Sequence, residues 1–170
     1  MPTTVREATP ADDAETGELR VRAYAKRYAE KMPDHVVTEG RWADLRNVAA
    51  SRAAGTVLVA EDAGRVVATV TLYRPGAADN ESWIAGAADL RYLAIDPDLQ
   101  GRGLSAIVMD AAESLVWSWG CETICLHVRP EAPGIARLYA SRGYLRDPAG
   151  DFTVPRGNVP LEGWQKTRGR

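Results

Sequence analysis

The chain has 170 residues, of which 45% are hydrophobic and 26% are charged, and its net charge is −2. This length suits one domain, and the composition is ordinary for a soluble globular protein. Basic and acidic residues are interleaved along the whole length, so the chain lacks the basic face that nucleic-acid-binding proteins carry. We therefore expect a single domain over residues 1–170 that does not bind nucleic acid.

The sequence also argues against a membrane protein and against a metal site. The N-terminal residues lack the apolar core of a signal peptide, and no stretch approaches the ~20 apolar residues of a membrane span. Cys121 and Cys125 are the two cysteines, and no second Cys or His pair accompanies them to complete a zinc site. We therefore expect a cytoplasmic protein with no membrane contact and no metal.

The N-terminal region predicts a strand followed by a helix. Residues 5–8 predict a short strand, and Thr9 and Pro10 are typical of a helix start, with a capping side chain before a first-turn proline. Apolar residues then recur at the spacing of one helical face. The helix is expected to end at Pro33, because proline cannot continue it.

A second helix and a β-hairpin follow. Thr38 is predicted to cap a single helix, with Gly55 as the residue just past its end. The segments 56–61 and 65–73 are rich in β-branched residues and flank a short turn, which is typical of a hairpin.

The second half of the chain changes from strand to helix twice. A fourth strand is predicted over residues 89–95 and a helix from Leu104 to Gly120, followed by a fifth strand, a short helix and two further strands. Three antiparallel strands followed by a strand–helix–strand crossover predict an α/β fold of the mixed α+β kind. We expect a largely antiparallel sheet of six or seven strands, flanked by about four helices, with a central parallel β-α-β crossover.

A glycine-bearing loop joins the fourth strand to the following helix. Gly101 and Gly103 stand just before that helix, whose first backbone N–H groups lack partners and carry the positive end of the helix dipole. Glycine lets such a backbone approach an anion closely, and Arg102 could add a charged contact. The loop therefore predicts a binding site for a phosphate-like group.

Two nucleotide-binding interpretations of this loop fail. The pattern Gly101-x-Gly103-x-x-Ala106 matches a dinucleotide fingerprint, but five residues separate Ile95 from the first glycine and one further parallel unit follows. The P-loop interpretation requires a Gly-Lys-Ser/Thr sequence, which the chain lacks.

The spacing Gln100-x-x-Gly103-x-Ser105 resembles the Q/R-x-x-G-x-G/A element of the GNAT superfamily of N-acetyltransferases, with Ser105 departing from the usual Gly or Ala. A second segment, residues 138–144, has the sequence LYASRGY and resembles the L-Y-x-x-x-G-F/Y segment of that family. The resemblance implies a GNAT-like fold and transfer of an acetyl group from acetyl-CoA to a primary amine of a small molecule or peptide. Two alternatives remain open: a non-catalytic acyl-CoA-binding sensor of the same fold, and an acyltransferase that uses a longer acyl chain.

The resemblance also implies which residues hold acetyl-CoA, the cosubstrate. The fourth strand would pair with the pantetheine arm, and the glycine loop would hold the pyrophosphate. Pro133 departs from the family, because many members have a cofactor-contacting Asn at that position. The implied cofactor-binding residues are Leu93, Ala94, Ile95, Gln100, Gly101, Arg102, Gly103, Leu104 and Ser105.

Proton transfer is needed on both sides of the reaction. At pH 7 only about one alkyl amine in 2,500 is unprotonated, which is equivalent to ~4.6 kcal/mol, so a base is useful. By position in the family, Tyr139 is the expected acid that protonates the leaving thiolate, and Asp89 is the expected base. His127, Glu131 and a water chain remain alternative bases.

The acceptor pocket is expected on the side of the first two helices and the loop before the fourth strand. Tyr24, Tyr28 and Trp83 are the candidate substrate-contacting residues, with His35 and Trp42 beside them. The weakly acidic pI of 5.7 favours a cationic amine. A homodimer is left open.

Overall fold

Residues 2–169, the part of the chain that this computed structural model describes, form eight strands and five α-helices. The strands are β1 (Thr4–Glu7), β2 (Thr56–Asp62), β3 (Arg65–Tyr73), β4 (Ala88–Ile95), β5 (Thr123–Val128), β6 (Leu145–Arg146), β7 (Phe152–Val154) and β8 (Val159–Thr167). The helices are α1 (Asp13–Lys31), α2 (Glu39–Arg46), α3 (Val48–Ala54), α4 (Leu104–Ser118) and α5 (Pro133–Ser141).

The strands form one mixed sheet in the order β1-β2-β3-β4-β5-β8-β6, and β7 pairs with β8 beside this path. Every pairing is antiparallel except that of β4 with β5, which α4 connects as a parallel crossover. The predicted mixed fold and its crossover are confirmed. The sheet has eight strands instead of six or seven, because three strands follow α5 instead of the predicted two. The additional strand, β7, is three residues long and too short to show a periodicity.

The single helix predicted between Thr38 and Gly55 is wrong in one respect. The Thr38 cap is present, since its hydroxyl accepts a hydrogen bond from the Arg41 amide at 3.1 Å. At Asn47, however, the backbone leaves the helical region with ψ of 65°, and the Asn47 side chain accepts from the Ala50 amide at 3.2 Å. Asn47 therefore caps a new helix, and the segment divides into α2 and α3.

Helices cover both faces of the sheet. Along β2, Leu58 and Ala60 pack in the main core, to which α4 contributes, whereas Val59 points the other way and packs with Leu19 of α1. This alternation is the two-residue period of a strand that is buried on both sides. The core of the main cluster continues into Tyr139 of α5.

A bulge in β4 opens the middle of the sheet. Thr69 pairs with Ala94 and Thr71 with Arg91, so two residues of β4 lie opposite one residue of β3. Within the bulge, Tyr92 has a φ of 56°. Pairing of β4 with β5 covers three positions and ends at Leu90. The two parallel strands therefore diverge beyond that point and leave the edge of β4 open.

Candidate active site

The glycine loop is built to receive an anion. Gly101 and Gly103 have φ values of 81° and 76°, and a Cβ on either would meet no heavy atom within 4 Å. Within residues 2–169, no backbone N–H from 100 to 106 donates to a protein acceptor, and these groups stand at the positive end of the 15-residue helix α4. The open space and the free amides together form a concave cradle.

A buried carboxylate holds the loop against α1. The Asp96 side chain accepts a hydrogen bond from the Asp98 amide at 3.0 Å and pairs with Arg22 of α1 at 2.8 Å. Lys26 of the same helix lies 3.4 Å from the Gln100 side-chain oxygen. Arg102 is exposed. Asp96 and Arg22 therefore hold the loop against α1, and two cations lie at the loop, Lys26 beside Gln100 and the exposed Arg102.

A cavity of about 540 Å³ lies at the other end of the opened strand. Its walls come from α1, α2 and the segment between them, from the diverging ends of β4 and β5, from α5, and from the hairpin of β7 and β8. The edge of β4 connects this cavity with the glycine loop through Leu93, Ala94 and Ile95. Several predicted site residues line the cavity: Tyr24, Tyr28, His35, Leu93, His127 and Tyr139.

Tyr139 is a buried residue in the cavity wall. Its side chain is 5% exposed, and its ring packs edge-on against Tyr144 at a centroid distance of 5.4 Å. Burial raises the pKa of Tyr139, and the nearby Arg27 charge offsets part of that rise. The phenol therefore stays protonated at neutral pH, as an acid must before it acts.

Asp89 does not lie where a base for this cavity should lie. It is fully buried and does not line the cavity. One carboxylate oxygen accepts hydrogen bonds from the Arg91 side chain, at 2.6 and 2.9 Å, and from the Glu81 amide at 2.9 Å. A base must come within hydrogen-bond reach of the proton that it removes. The geometry instead gives Asp89 the task of holding Arg91 and the loop before β4.

His127 lies in the cavity wall near the end of β5. Its Nε2 lies 2.9 Å from the carbonyl oxygen of Gly150, so Nε2 carries the proton and Nδ1 is left as the acceptor. Burial lowers the pKa of His127 below its ordinary value of 6.5, although the hydrogen bond to Gly150 opposes this. The ring is therefore neutral at pH 7 and able to accept a proton. Glu131 is exposed and does not line the cavity.

Trp83 and Trp42, two of the aromatic residues expected beside the acceptor, lie outside the cavity wall and pack against other parts of the protein. Trp83 does not line the cavity: its ring lies against Gly150, where a Cβ would come within 2.5 Å of it, and its Nε1 donates to Asp147 at 2.9 Å. Trp42 also lies outside the cavity wall and packs edge-on against Tyr28. Trp83 instead fastens the loop that positions His127.

The sequence interpretation missed the charged residues of the cavity. Five arginines line it, together with the carboxylates of Asp44 and Glu81. The arginines come from α1, α2, β4, the end of β5 and the β7–β8 hairpin, so no local motif in the sequence groups them. They are Arg27, Arg41, Arg91, Arg129 and Arg156.

Within residues 2–169, no helix combines the length and the apolar character needed to cross a bilayer. The same residues contain no cluster of three or more His, Cys, Asp or Glu side chains that could hold a metal ion.

Residues 15–144 match the sequence profile of the family described as acetyltransferase (GNAT) family. A search of curated proteins gave no significant match.

Solved structures share the fold. An acetyltransferase of the GNAT family from Streptococcus agalactiae 2603 is similar with a TM-score of 0.78 and 14% identity, over 99% of this chain and 96% of that one. PaiA N-acetyltransferase from Thermoplasma acidophilum, in complex with coenzyme A, is similar with a TM-score of 0.71 and 16% identity, over 98% of this chain and 99% of that one. The ribosomal-protein-S18-alanine N-acetyltransferase from Escherichia coli is similar with a TM-score of 0.69 and 16% identity, over 98% of this chain and 94% of that one. At these identities the similarity concerns the fold alone.

Proposed function

The chain belongs to the GNAT family of acetyltransferases, and on that premise we propose that it transfers the acetyl group of acetyl-CoA to a primary amine of a small molecule or peptide. The observation that carries the proposal is the open edge of β4, which leads from the anion cradle of Gly101 and Gly103 to a cavity lined by Tyr139. A phosphate group and a reacting thioester would thus be held at two ends of one strand.

In this proposal the residues from Gln100 to Ser105 bind the pyrophosphate through their free amides, and the edge of β4 from Leu93 to Ile95 pairs with the pantetheine arm. Pro133 stands where many family members have a cofactor-contacting Asn, and it occupies the first turn of α5, where its missing N–H costs no helical hydrogen bond. Cofactor binding in this proposal therefore depends on the loop and on the edge of β4. Leu104 is buried and anchors the helix start in the core.

The proposed reaction needs one base and one acid. His127 Nδ1 takes a proton from the acceptor ammonium, and the free amine nitrogen attacks the thioester carbonyl carbon. A C–N bond forms and the C–S bond breaks, so the electron pair leaves with the sulfur. The nitrogen, which is positively charged after the attack, loses a second proton to water, and His127 returns its own proton to solvent. The Tyr139 hydroxyl, as the acid, donates a hydrogen bond that strengthens as the sulfur becomes negative, and the thiolate then takes its proton from solvent, giving an amide and free CoA thiol.

The role of the base can be tested with His127→Gln, because glutamine can still donate to the Gly150 carbonyl. We expect kcat/KM at pH 7 to fall at least about tenfold. The pKa of His127 lies below 6.5, so wild-type activity should fall as the pH drops through that pKa, and the variant should lose this step. Toward pH 10, where the amine loses its proton unaided, the two profiles should converge.

Glu131→Gln is the matched control for this pH profile and should stay within twofold of the wild type, since Glu131 lies outside the cavity. A His127→Gln profile that keeps the low-pH step would assign the base to another group.

The cradle can be tested with Gly103→Ala. A residue other than glycine with positive φ costs roughly 1–2 kcal/mol, so the melting temperature should fall by roughly 2–8 °C, and CoA affinity should fall as the loop shifts. Gly64→Ala is the control, because Gly64 has the same φ of 76° and the same open surroundings in the β2–β3 turn. It should lose the same stability and keep the wild-type dissociation constant for CoA, which calorimetry would measure. Equal CoA affinities in the two variants would contradict the assignment.

The proposed function is tested first by melting with acetyl-CoA, free CoA and NADPH side by side. A ligand at 100 times its dissociation constant should stabilise by about 2.7 kcal/mol, which is several degrees here. We expect a shift with the two CoA species alone, and thiol release when amines are added. Binding without release across a broad amine panel would favour the non-catalytic sensor. A shift with NADPH alone would refute the proposal.

We propose the cytoplasm as the location. The support is that Cys121 and Cys125 are free and buried, and that burial raises the pKa of both thiols, that of Cys125 to about 12, so both stay protonated and inert. A homodimer stays a prediction, which sedimentation velocity would check.

A further inference from the structure

The charge inside the cavity is opposite to that of the whole chain. The chain carries a net charge of −2, yet five arginines and two carboxylates line the cavity. Of these carboxylates, Glu81 lies 3.3 Å from Arg91, and Asp44 is at the exposed rim. The low pI had favoured a cationic acceptor, but the local charge is what an acceptor meets in the cavity.

Three of the five guanidinium groups have no acidic partner. Arg91 pairs with Asp89, and Arg129 lies 3.6 Å from Glu131, which is longer than a hydrogen bond. Within residues 2–169, no carboxylate lies at salt-bridge distance from Arg27, Arg41 or Arg156. Arg27 and Arg41 are half-buried, and half-buried arginines are normally paired. Together with the exposed Arg156 they give the cavity an unusual concentration of positive charge.

Arg27 and Arg41 lie close together and are held by neutral groups. Their guanidinium carbons are 4.5 and 5.4 Å from the ring centroid of Tyr24. Arg41 also donates to the Tyr28 hydroxyl at 3.3 Å, and Arg27 lies 3.5 Å from the Leu93 carbonyl. Aromatic faces and neutral oxygens orient these cations without neutralising them, which leaves their charge for a ligand.

A further cation lies behind the cavity wall. Arg20 is fully buried, donates to Ser51 and Thr71 hydroxyls at 3.1 and 2.7 Å, and lies 4.7 Å beneath the ring centroid of Tyr92. No carboxylate within residues 2–169 pairs with it. Because screening by water is weak at a buried site, this charge adds to the positive potential on the cavity side of Tyr92.

The bound cosubstrate would not supply the missing negative charge. The cradle proposed for its pyrophosphate is the loop 100–105, and none of those residues lines the cavity. Resting on the proposed function, we propose that the acceptor amine carries an oxyanion, a carboxylate or a phosphate, which Arg41 binds together with Arg27 and Arg156. A guanidinium fits both groups through two parallel N–H···O bonds, and polycationic amines would be repelled.

The test uses CoA-saturated protein and acceptors in pairs that differ in one anionic group. Methionine is compared with methioninamide, leucine with leucinamide, and phosphoethanolamine with ethanolamine, and spermidine is the polycation. Calorimetry measures binding, and thiol release with acetyl-CoA measures kcat/KM. We expect at least one anionic member to exceed its neutral partner by at least about tenfold in either quantity. The amino acid and phosphate pairs separate the two oxyanions.

The variant that carries the test is Arg41→Gln, since Arg27 lies beside Tyr139 and would affect the chemistry directly. Arg41→Gln should lower the ratio of the anionic to the neutral probe, in binding constant or in kcat/KM, at least about tenfold. The ratio for Arg41→Lys should fall between those of Arg41→Gln and the wild type. Arg74→Gln is the matched control: Arg74 also lacks a carboxylate partner within residues 2–169 and lies over an aromatic ring, that of Trp119, but outside the cavity. It should keep the wild-type ratio.

The outcomes separate this inference from the proposed function. If every neutral or cationic probe binds and reacts as well as its anionic partner, or if no anionic probe binds, the inference is wrong. If anionic probes bind through Arg41 but no amine is acetylated, the inference stands and the proposed function fails. An unchanged CoA affinity in Arg41→Gln and Arg41→Lys shows that the variants are folded.

Discussion

Replacing Tyr139 with phenylalanine is expected to lower kcat about 100-fold and to leave the KM for acetyl-CoA within about twofold. The hydroxyl would be lost, but the ring that packs against Tyr144 would remain, so the fold should survive. The raised pKa of Tyr139 makes complete proton transfer to a thiolate of pKa ~8.5 uphill by at least ~2 kcal/mol. Its contribution is therefore a hydrogen bond that strengthens as the sulfur becomes negative.

Tyr144→Phe is the matched control for Tyr139→Phe. Tyr144 is buried, lies in contact with Tyr139 and lies outside the cavity wall, so its hydroxyl should be dispensable for turnover. Steady-state kinetics with thiol detection would compare the two variants. A Tyr139→Phe enzyme with more than half of the wild-type kcat would place the proton donor elsewhere.

Asp89→Ala is expected to destabilise the protein by about 3 kcal/mol and to lower its melting temperature by roughly 6–12 °C. The change removes a fully buried carboxylate and leaves the Arg91 guanidinium, which is 21% exposed, without its closest partner. It also removes the acceptor of the Glu81 amide. Calorimetric melting would measure the loss.

Glu81→Ala tests the same guanidinium from its exposed side. The Glu81 side chain is 46% exposed and lies 3.3 Å from Arg91, so its removal should cost less than about 1 kcal/mol.

Well below the melting temperature, the Asp89→Ala enzyme should keep its activity within about tenfold. A loss of more than 100-fold in the folded variant would return the role of base to Asp89.

Local signals in the sequence predicted those parts of the fold and of the candidate site that depend on neighbouring residues. Thr38, Pro33 and the β-branched residues of β2 and β3 act within a few residues, and the structure bears out the predictions based on them. The glycines at 101 and 103 are also local, since their left-handed backbone is what the turn into α4 requires. Asn47 was missed because capping residues also occur inside helices, and its effect depends on how α3 packs.

The positions that the structure gives Asp89 and Trp83 depend on contacts that the sequence does not contain. Asp89 is a carboxylate, as a base could be. Only its burial and its ion pair with Arg91 show that it holds the structure together. Trp83 is aromatic and lies before β4, as an acceptor-contacting residue would, but its partners Asp147 and Gly150 are more than sixty residues away. The arginines of the cavity likewise meet only in three dimensions.

The gap between β4 and β5 makes the sheet two half-sheets joined by a short seam. Strands β1 to β4 pair directly with the C-terminal strands at three positions, from Ala88 to Leu90 of β4. An extended amide-bearing arm laid along the rest of β4 would act as a substitute strand across this seam. The cosubstrate would then be a structural component, and the cooperativity between the two half-sheets would rise and fall with its cellular concentration.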